Sequence, residues 1–340
     1  MIRSESEPGR SAPKNAPRQV EARKKPLTEA LPTPTWHRVA ERLIAVMALS
    51  AVVAIALIFL FVAREALPLF WEAADEGLAL RDLVLPRQWP GYDEPVVVWQ
   101  PVGGTPKFNM IPLFVGSLKV TLLSMAMAVP IGVGCAIFVA IYAPRWLREI
   151  VKPAIELLAG VPSVVLGFFA LMVVATFTQD LFGFTYRLNG FVAAVGLAMT
   201  IVPVIFTISE DAIQAVPKSL SEAAAALGAR KYQIALRVIV PAAIPGITAA
   251  VILGFGRAIG ETMIVLMASG NAAVVELFDF STSVRTVTAT IAAELGEVAR
   301  GEAHWRILFL LGVMLFAITF VLNLFGKWAT DRLHRKLTAA

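Results

Sequence analysis

The chain has 340 residues, of which 57% are apolar and only 16% charged, and its mean hydropathy is +0.72. A soluble domain is about half apolar and a quarter charged, so this composition excludes a water-soluble globule and requires lipid as well as a core. One cysteine, Cys135, excludes an internal disulfide, and three scattered histidines, His37, His304 and His334, form no metal-ligand spacing. The net charge of +5 is not a nucleic-acid signature, because the basic residues flank the apolar runs.

Residues 1–42 read as a disordered basic tail on the cytoplasmic side. The first 35 positions hold six prolines and few large apolar groups, too little to offset chain entropy. Spanning roughly 30 Å of hydrocarbon takes an apolar helix of about 20 residues. Six such runs are predicted: Leu43 to Val62, Val115 to Tyr142, Ala154 to Phe177, Phe191 to Ser209, Ala242 to Ser269 and Ile307 to Gly326. The first is a full crossing rather than a short signal-peptide core, so an uncleaved helix is expected. Residues 43–326 thus form an all-α, six-span membrane domain, followed by a basic tail over 327–340.

Lysine and arginine concentrate on the cytoplasmic side of short loops. Nine of the 30 fall within residues 1–42, and the loops at 143–153 and 210–241 and the C-terminal tail are also basic. Both termini are therefore expected in the cytoplasm. The external loop 63–112 is rich in proline and aromatics, contains the β-like run Val96-Val97-Val98-Trp99, and reads as a small cap. In the external segment 283–300, Val284, Val287, Ile291, Leu295 and Val298 recur at helical steps and predict a helix with one apolar face.

The loop 210–241 contains the stretch from Pro217 to Pro241. Ser219 and Glu222 have capping-box spacing, an alanine run follows, and Gly228 supplies a left-handed stop. Two short helices are predicted, the second ending before Pro241, as a compact knob. The stretch Glu222-Ala223-Ala224, Gly228 and Pro241 resembles the EAA loop of importer-type ABC permeases: EAA, three residues, G, nine residues, then I-x-L-P. Val238 and Val240 replace the usual isoleucine and leucine with the spacing intact. The resemblance implies a type I ABC importer permease-like fold and a knob that docks onto a cytoplasmic ATPase. The chain has no G-x-x-x-x-G-K-[ST] loop, so ATP is expected on a partner, with no cofactor or catalysis here.

Charges within the spans are few: Glu156, Arg257 and Glu261, with Lys119 near an outer end and able to snorkel. Such groups are expensive in lipid and face a cavity, a partner or a pathway. Arg257 and Glu261 are four apart, on one predicted helical face beside the Gly256/Gly260 step. An arginine fork matches oxyanion oxygens; a buried structural ion pair is the alternative. The segments Glu156-Leu-Leu-Ala-Gly-Val-Pro-Ser163, Ser209-Glu-Asp-Ala-Ile and Gly256-Arg-Ala-Ile-Gly-Glu-Thr-Met263 resemble the phosphate-importer permease family, PstC type. That resemblance implies a bacterial inner-membrane protein, phosphate passage past Arg257 and Glu261, a PstA-type permease partner, a pair of PstB-type ATPases, and an extracytoplasmic phosphate-binding protein. Competing readings are a permease for sulfate or molybdate, a membrane scaffold or sensor that recruits an ATPase, and a secondary transporter or channel. Prolines 130, 162, 203 and 245 are expected inside spans, and Cys135 as a packing residue.

Overall fold

A computed structural model describes residues 35–72, 79–89 and 91–338. The tail expected over residues 1–34 lies outside the described residues, and residues 35–42 form the first turns of a helix. The chain divides into two units, Met1–Ala56 and Leu57–Ala340. Helix α1 (Thr35–Ala66) is uncapped by any acidic first turn, and in the first unit its apolar side chains, such as Leu43, Met47 and Val52, are exposed. Such a surface is stable in lipid, not in water.

The remaining elements follow in order. A turn of helix, α2 (Leu69–Glu72), precedes a two-stranded antiparallel hairpin, β1 (Trp99–Gln100) and β2 (Lys107–Phe108), with Trp99 opposite Phe108. Then come α3 (Ile111–Ile137), α4 (Arg145–Ala159), α5 (Ser163–Phe169), α6 (Ala175–Phe182) and α7 (Gly190–Gln214). After these lie α8 (Lys218–Ala226), α9 (Lys231–Ile234), α10 (Val240–Ile259), α11 (Met263–Ala268), α12 (Val287–Glu294) and α13 (Ala303–Thr338). Among the described residues six helical runs are long and apolar enough to cross a membrane: Val39–Glu72, Ile111–Tyr142, Ser163–Phe182, Gly190–Gln214, Lys231–Ile259 and Ala303–Arg332.

Two spans differ from expectation. The third begins at Ser163, not Ala154, because Pro162 disfavours helix at the residue before it. Residues 145–159 instead make the separate amphipathic α4, so Glu156 sits on an exposed helix outside the span, and Pro162 marks a boundary, not a kink. The fifth starts at Lys231: a π turn over Ala235–Ile239 joins α9 to α10, and the wider turn accommodates the Pro241 ring. The second short helix therefore continues through Pro241.

Helix α7 is the centre. Its Ala193, Ala194, Leu197, Ile201, Ile205 and Phe206 have no exposed surface, and α3 and α10 pack along it. Glycines permit this approach. A Cβ at Gly132 of α3 would lie 3.0 Å from the Ile205 Cβ, and one at Gly254 of α10 would lie 2.9 Å from Ile205 Cγ1. Ile205 is thus clasped from both sides by hydrogen-only positions.

At the α3 N-terminal end a second core unites Leu69, Leu83, Trp99, Phe108 and Met110 with Leu113, Val287 and Ile307. Asn109 organises its entry. Its amide donates to the Asp82 and Leu85 carbonyls, both at 3.0 Å, while its oxygen accepts from Ile111 N at the start of α3. Helix α12 turns Val287 inward as the periodicity predicted, with Ile291, Leu295 and Val298 against the same core.

Replacing Gly254 with leucine inserts a branched side chain where Ile205 already sits. An overpacking penalty of about 1–3 kcal/mol is expected, read as a lowered melting temperature of the purified protein in detergent, with Gly256→Ala, whose Cβ meets only Asn323 at 3.8 Å, changing little.

Candidate substrate pathway and coupling loop

The 217–241 loop forms a protrusion. Pro217, with its fixed φ, is the N-cap of α8, and no side chain caps the helix. The expected Ser219/Glu222 capping box is absent because the helix begins at Lys218, one residue before Ser219. Gly228 behaves as expected: at φ +81° it ends α8 with a paired set of bonds, Ala229 N to Ala224 O at 3.1 Å and Gly228 N to Ala225 O at 2.9 Å. Gln233 then accepts from Arg230 N at 2.8 Å and starts α9. Glu222 and Ala223 are exposed and Ala224 is half-buried. Leu227 is 90% exposed.

Behind the protrusion lies a pair that periodicity did not reveal. Glu210, one turn before the end of α7, is fully buried, and its carboxylate receives Lys152 Nζ of α4 at 2.7 Å. Lys152 also lies 3.5 Å from Asp211, and Gln214 donates to Glu210. The hydrogen bond from Lys152 to Glu210 raises the lysine pKa above 10.5 despite burial. A raised lysine value means that the pair contributes in full below the ordinary value and is lost only as pH climbs past the raised one. The lysine therefore stays charged throughout the physiological range. Ser209 beside it is buried, and its hydroxyl has no partner among the described residues.

Arg257 and Glu261 do not share a helical face, because α10 ends at Ile259 with Gly260 as C-cap and α11 begins at Met263. The carboxylate of Glu261 turns to α11: one oxygen accepts from Thr262 N and Met263 N, each at 3.1 Å. Its own carbonyl accepts from the Thr288 hydroxyl of α12 at 2.7 Å. Arg257 is exposed, and no carboxylate among the described residues pairs with it. The structural ion pair, the alternative reading of these two residues, is therefore absent. The geometry instead leaves one guanidinium uncompensated on an open face at a break in a spanning helix.

Lys119 does not snorkel. It is 5% exposed and gathers the Glu276 carbonyl at 2.6 Å, the Asp279 carbonyl and Thr282 Oγ1 at 3.3 Å, pinning the loop that precedes α12. The Asp279 carboxylate is held below its ordinary pKa by accepting from the Ser281 hydroxyl and amide. At the far end of α12, Glu294 accepts from Trp99 Nε1 at 3.1 Å and from Arg285, and meets His304 Nε2 at 2.8 Å.

The class of protein follows from these features and from comparison. The structure superposes with a TM-score of 0.56 on a chain of the bacterial alginate ABC transporter in complex with an alginate pentasaccharide-bound periplasmic protein, covering 88% of this chain and 98% of that one at 16% identity. The MetNI methionine ABC transporter matches at TM-score 0.53 and 20% identity over 66% of this chain and 97% of the other. The fold is that of a type I ABC importer permease.

Residues 128–339 match the family "Binding-protein-dependent transport system inner membrane component", and the chain belongs to that family. Similar relatives include a probable ABC transporter permease protein, YqgH, of Bacillus subtilis, 36% identical over 69% of this chain and 75% of its own length. The phosphate transport system permease protein PstC of Mesorhizobium japonicum is 35% identical over 71% and 78%. PstC 1 of Mycobacterium tuberculosis is 33% identical over 73% and 81%.

Replacing Lys152 with methionine leaves the buried Glu210 carboxylate with Gln214 as its one side-chain donor among the described residues; with the lysine 32% exposed, the cost should fall below the roughly 3–5 kcal/mol of a fully buried pair. The melting temperature of the variant should fall sharply, and adding Glu210→Gln should recover much of the loss; no recovery would show that the lysine acts by packing alone.

Proposed function

We propose that this chain is the permease subunit of an ATP-driven phosphate importer and forms half of the translocation passage. The observation that carries the reading is the free guanidinium of Arg257 at the α10–α11 break. A cation in a low-dielectric passage attracts an anion, and a planar fork suits phosphate oxygens. The PstC relatives support phosphate as that anion. Glu261, whose carboxylate is spent on backbone amides, neighbours the ion without cancelling the arginine.

In this reading a second, PstA-type permease closes the passage opposite Arg257, and a phosphate-binding protein delivers the ion at the end capped by the β1–β2 hairpin. The termini and the 217–241 loop face the cytoplasm, as the distribution of lysine and arginine favours. Two PstB-type ATPases bind and hydrolyse the nucleotide, and this chain carries no cofactor. The protrusion of α8 and α9, with Glu222, Ala223, Ala224 and the exposed Leu227, supplies the rigid contact that receives their motion.

The test is labelled-phosphate uptake by the assembled complex in vesicles. Arg257→Ala should abolish uptake while the complex still purifies intact, and undiminished uptake would remove Arg257 from the passage. Excess sulfate or molybdate should leave uptake unchanged; strong competition by either would reassign the cargo. Glu222→Lys should reduce ATPase association or separate hydrolysis from uptake, and normal coupling would overturn the docking role.

A further inference from the structure

We propose that Thr288 is a positioning residue for anion passage: its hydroxyl holds the α10–α11 break in the form that keeps the Glu261 carboxylate away from Arg257. This inference rests on the proposed function of Arg257.

The break exposes backbone groups that a continuous helix would pair. The Glu261 carbonyl is one of them, and its side-chain bond comes from Thr288 Oγ1 at 2.7 Å. That hydroxyl belongs to a well-anchored element. Val287 N, at the start of α12, donates to Ser117 Oγ of α3 at 3.0 Å, and Thr286 Oγ1 accepts from Ala289 N. The carbonyl of Arg285 lies so close to α3 that a Cβ at Gly116 would fall 2.2 Å from it. Thr288 itself is 9% exposed. The hydroxyl is therefore presented to the break by a helix locked to α3.

With its carbonyl held, Glu261 orients its carboxylate onto Thr262 N and Met263 N. If the carbonyl is released, residues 258–262 can rewind by one turn. Rewinding would put Glu261 four residues after Arg257 on one helical face, where carboxylate and guanidinium attract. The pair would neutralise the charge that the anion needs. Thr288 thus acts through backbone geometry and touches neither the ion nor Arg257.

The measurement is phosphate uptake and ATPase activity of the complete complex carrying Thr288→Val, Thr288→Ser, or Thr288→Val combined with Glu261→Gln. The valine variant should lose uptake by tenfold or more, while assembly and basal ATP hydrolysis stay near wild type. Serine should restore uptake to within about twofold. The double variant, in which no carboxylate can neutralise Arg257, should import better than Thr288→Val alone. Uptake by Thr288→Val at the wild-type rate would overturn the inference, as would a double variant no better than the single one. Failure of the wild-type complex to import phosphate would instead defeat the underlying reading of the passage, whatever Thr288 does.

Discussion

A lipid interior supplies no hydrogen-bond partner, so every interruption of a spanning helix must be repaired by the protein itself. This constraint explains where most of the polar side chains in the bundle are spent. Arg148 donates to the Val139 and Ala140 carbonyls freed by a π turn at the end of α3, and Arg187 donates to the Leu171 carbonyl within another. Asn109 bridges the entry to α3, Lys119 collects loop carbonyls, and Glu261 with Thr288 closes the break after α10. Side chains that look like candidate ligands in the sequence are, in the fold, mostly backbone partners. Arg257 stands out by contrast, because its guanidinium has neither a carbonyl nor a carboxylate partner among the described residues.

The constraint also shapes the mechanics. A protrusion can transmit force only if the structure behind it is stiff, and a buried ion pair with satisfied geometry provides such a joint. Glu210 lies one turn before the end of α7, which leads through Pro217 directly into α8, and Lys152 ties that point to α4. If α8 receives a push, as proposed above, the connectivity offers it two routes: into α7, at the centre of the bundle, and through Lys152 into α4, which leads past Pro162 into α5. Salt bridges of this kind contribute little net stability compared with an apolar replacement.

Element type and order were legible in the sequence because lipid turns hydropathy into a length measurement. The number and order of the six spans, the inward face of α12 and the stop at Gly228 follow from hydropathy, periodicity and one residue lacking a Cβ, whereas the starts of the third and fifth spans do not. What escaped depends on competition between local rules. Ser219 and Glu222 have capping-box spacing, yet Pro217 starts α8 earlier and leaves that box unused. Arg257 and Glu261 have ion-pair spacing, yet Gly260 breaks the helix between them. The Lys152–Glu210 pair joins residues 58 positions apart, and no periodic pattern encodes a contact of that kind. The resemblance to importer permeases pointed to Arg257 and Glu261 as a pair, but only the backbone shows that the two are held apart.

One element connects the hairpin to the break after α10. Helix α12 touches the break through Thr288, while Glu294 at its other end accepts from Trp99 of the hairpin and meets His304 at the start of α13. It is only Val287–Glu294 long, about 11 Å at helical rise, and it is fastened at both ends. A short, doubly fastened helix moves as a body, so displacement of the hairpin has a direct route to the Glu261 carbonyl. If cargo is delivered at the hairpin end, as proposed above, the element nearest its arrival is also the one that holds the break beside Arg257.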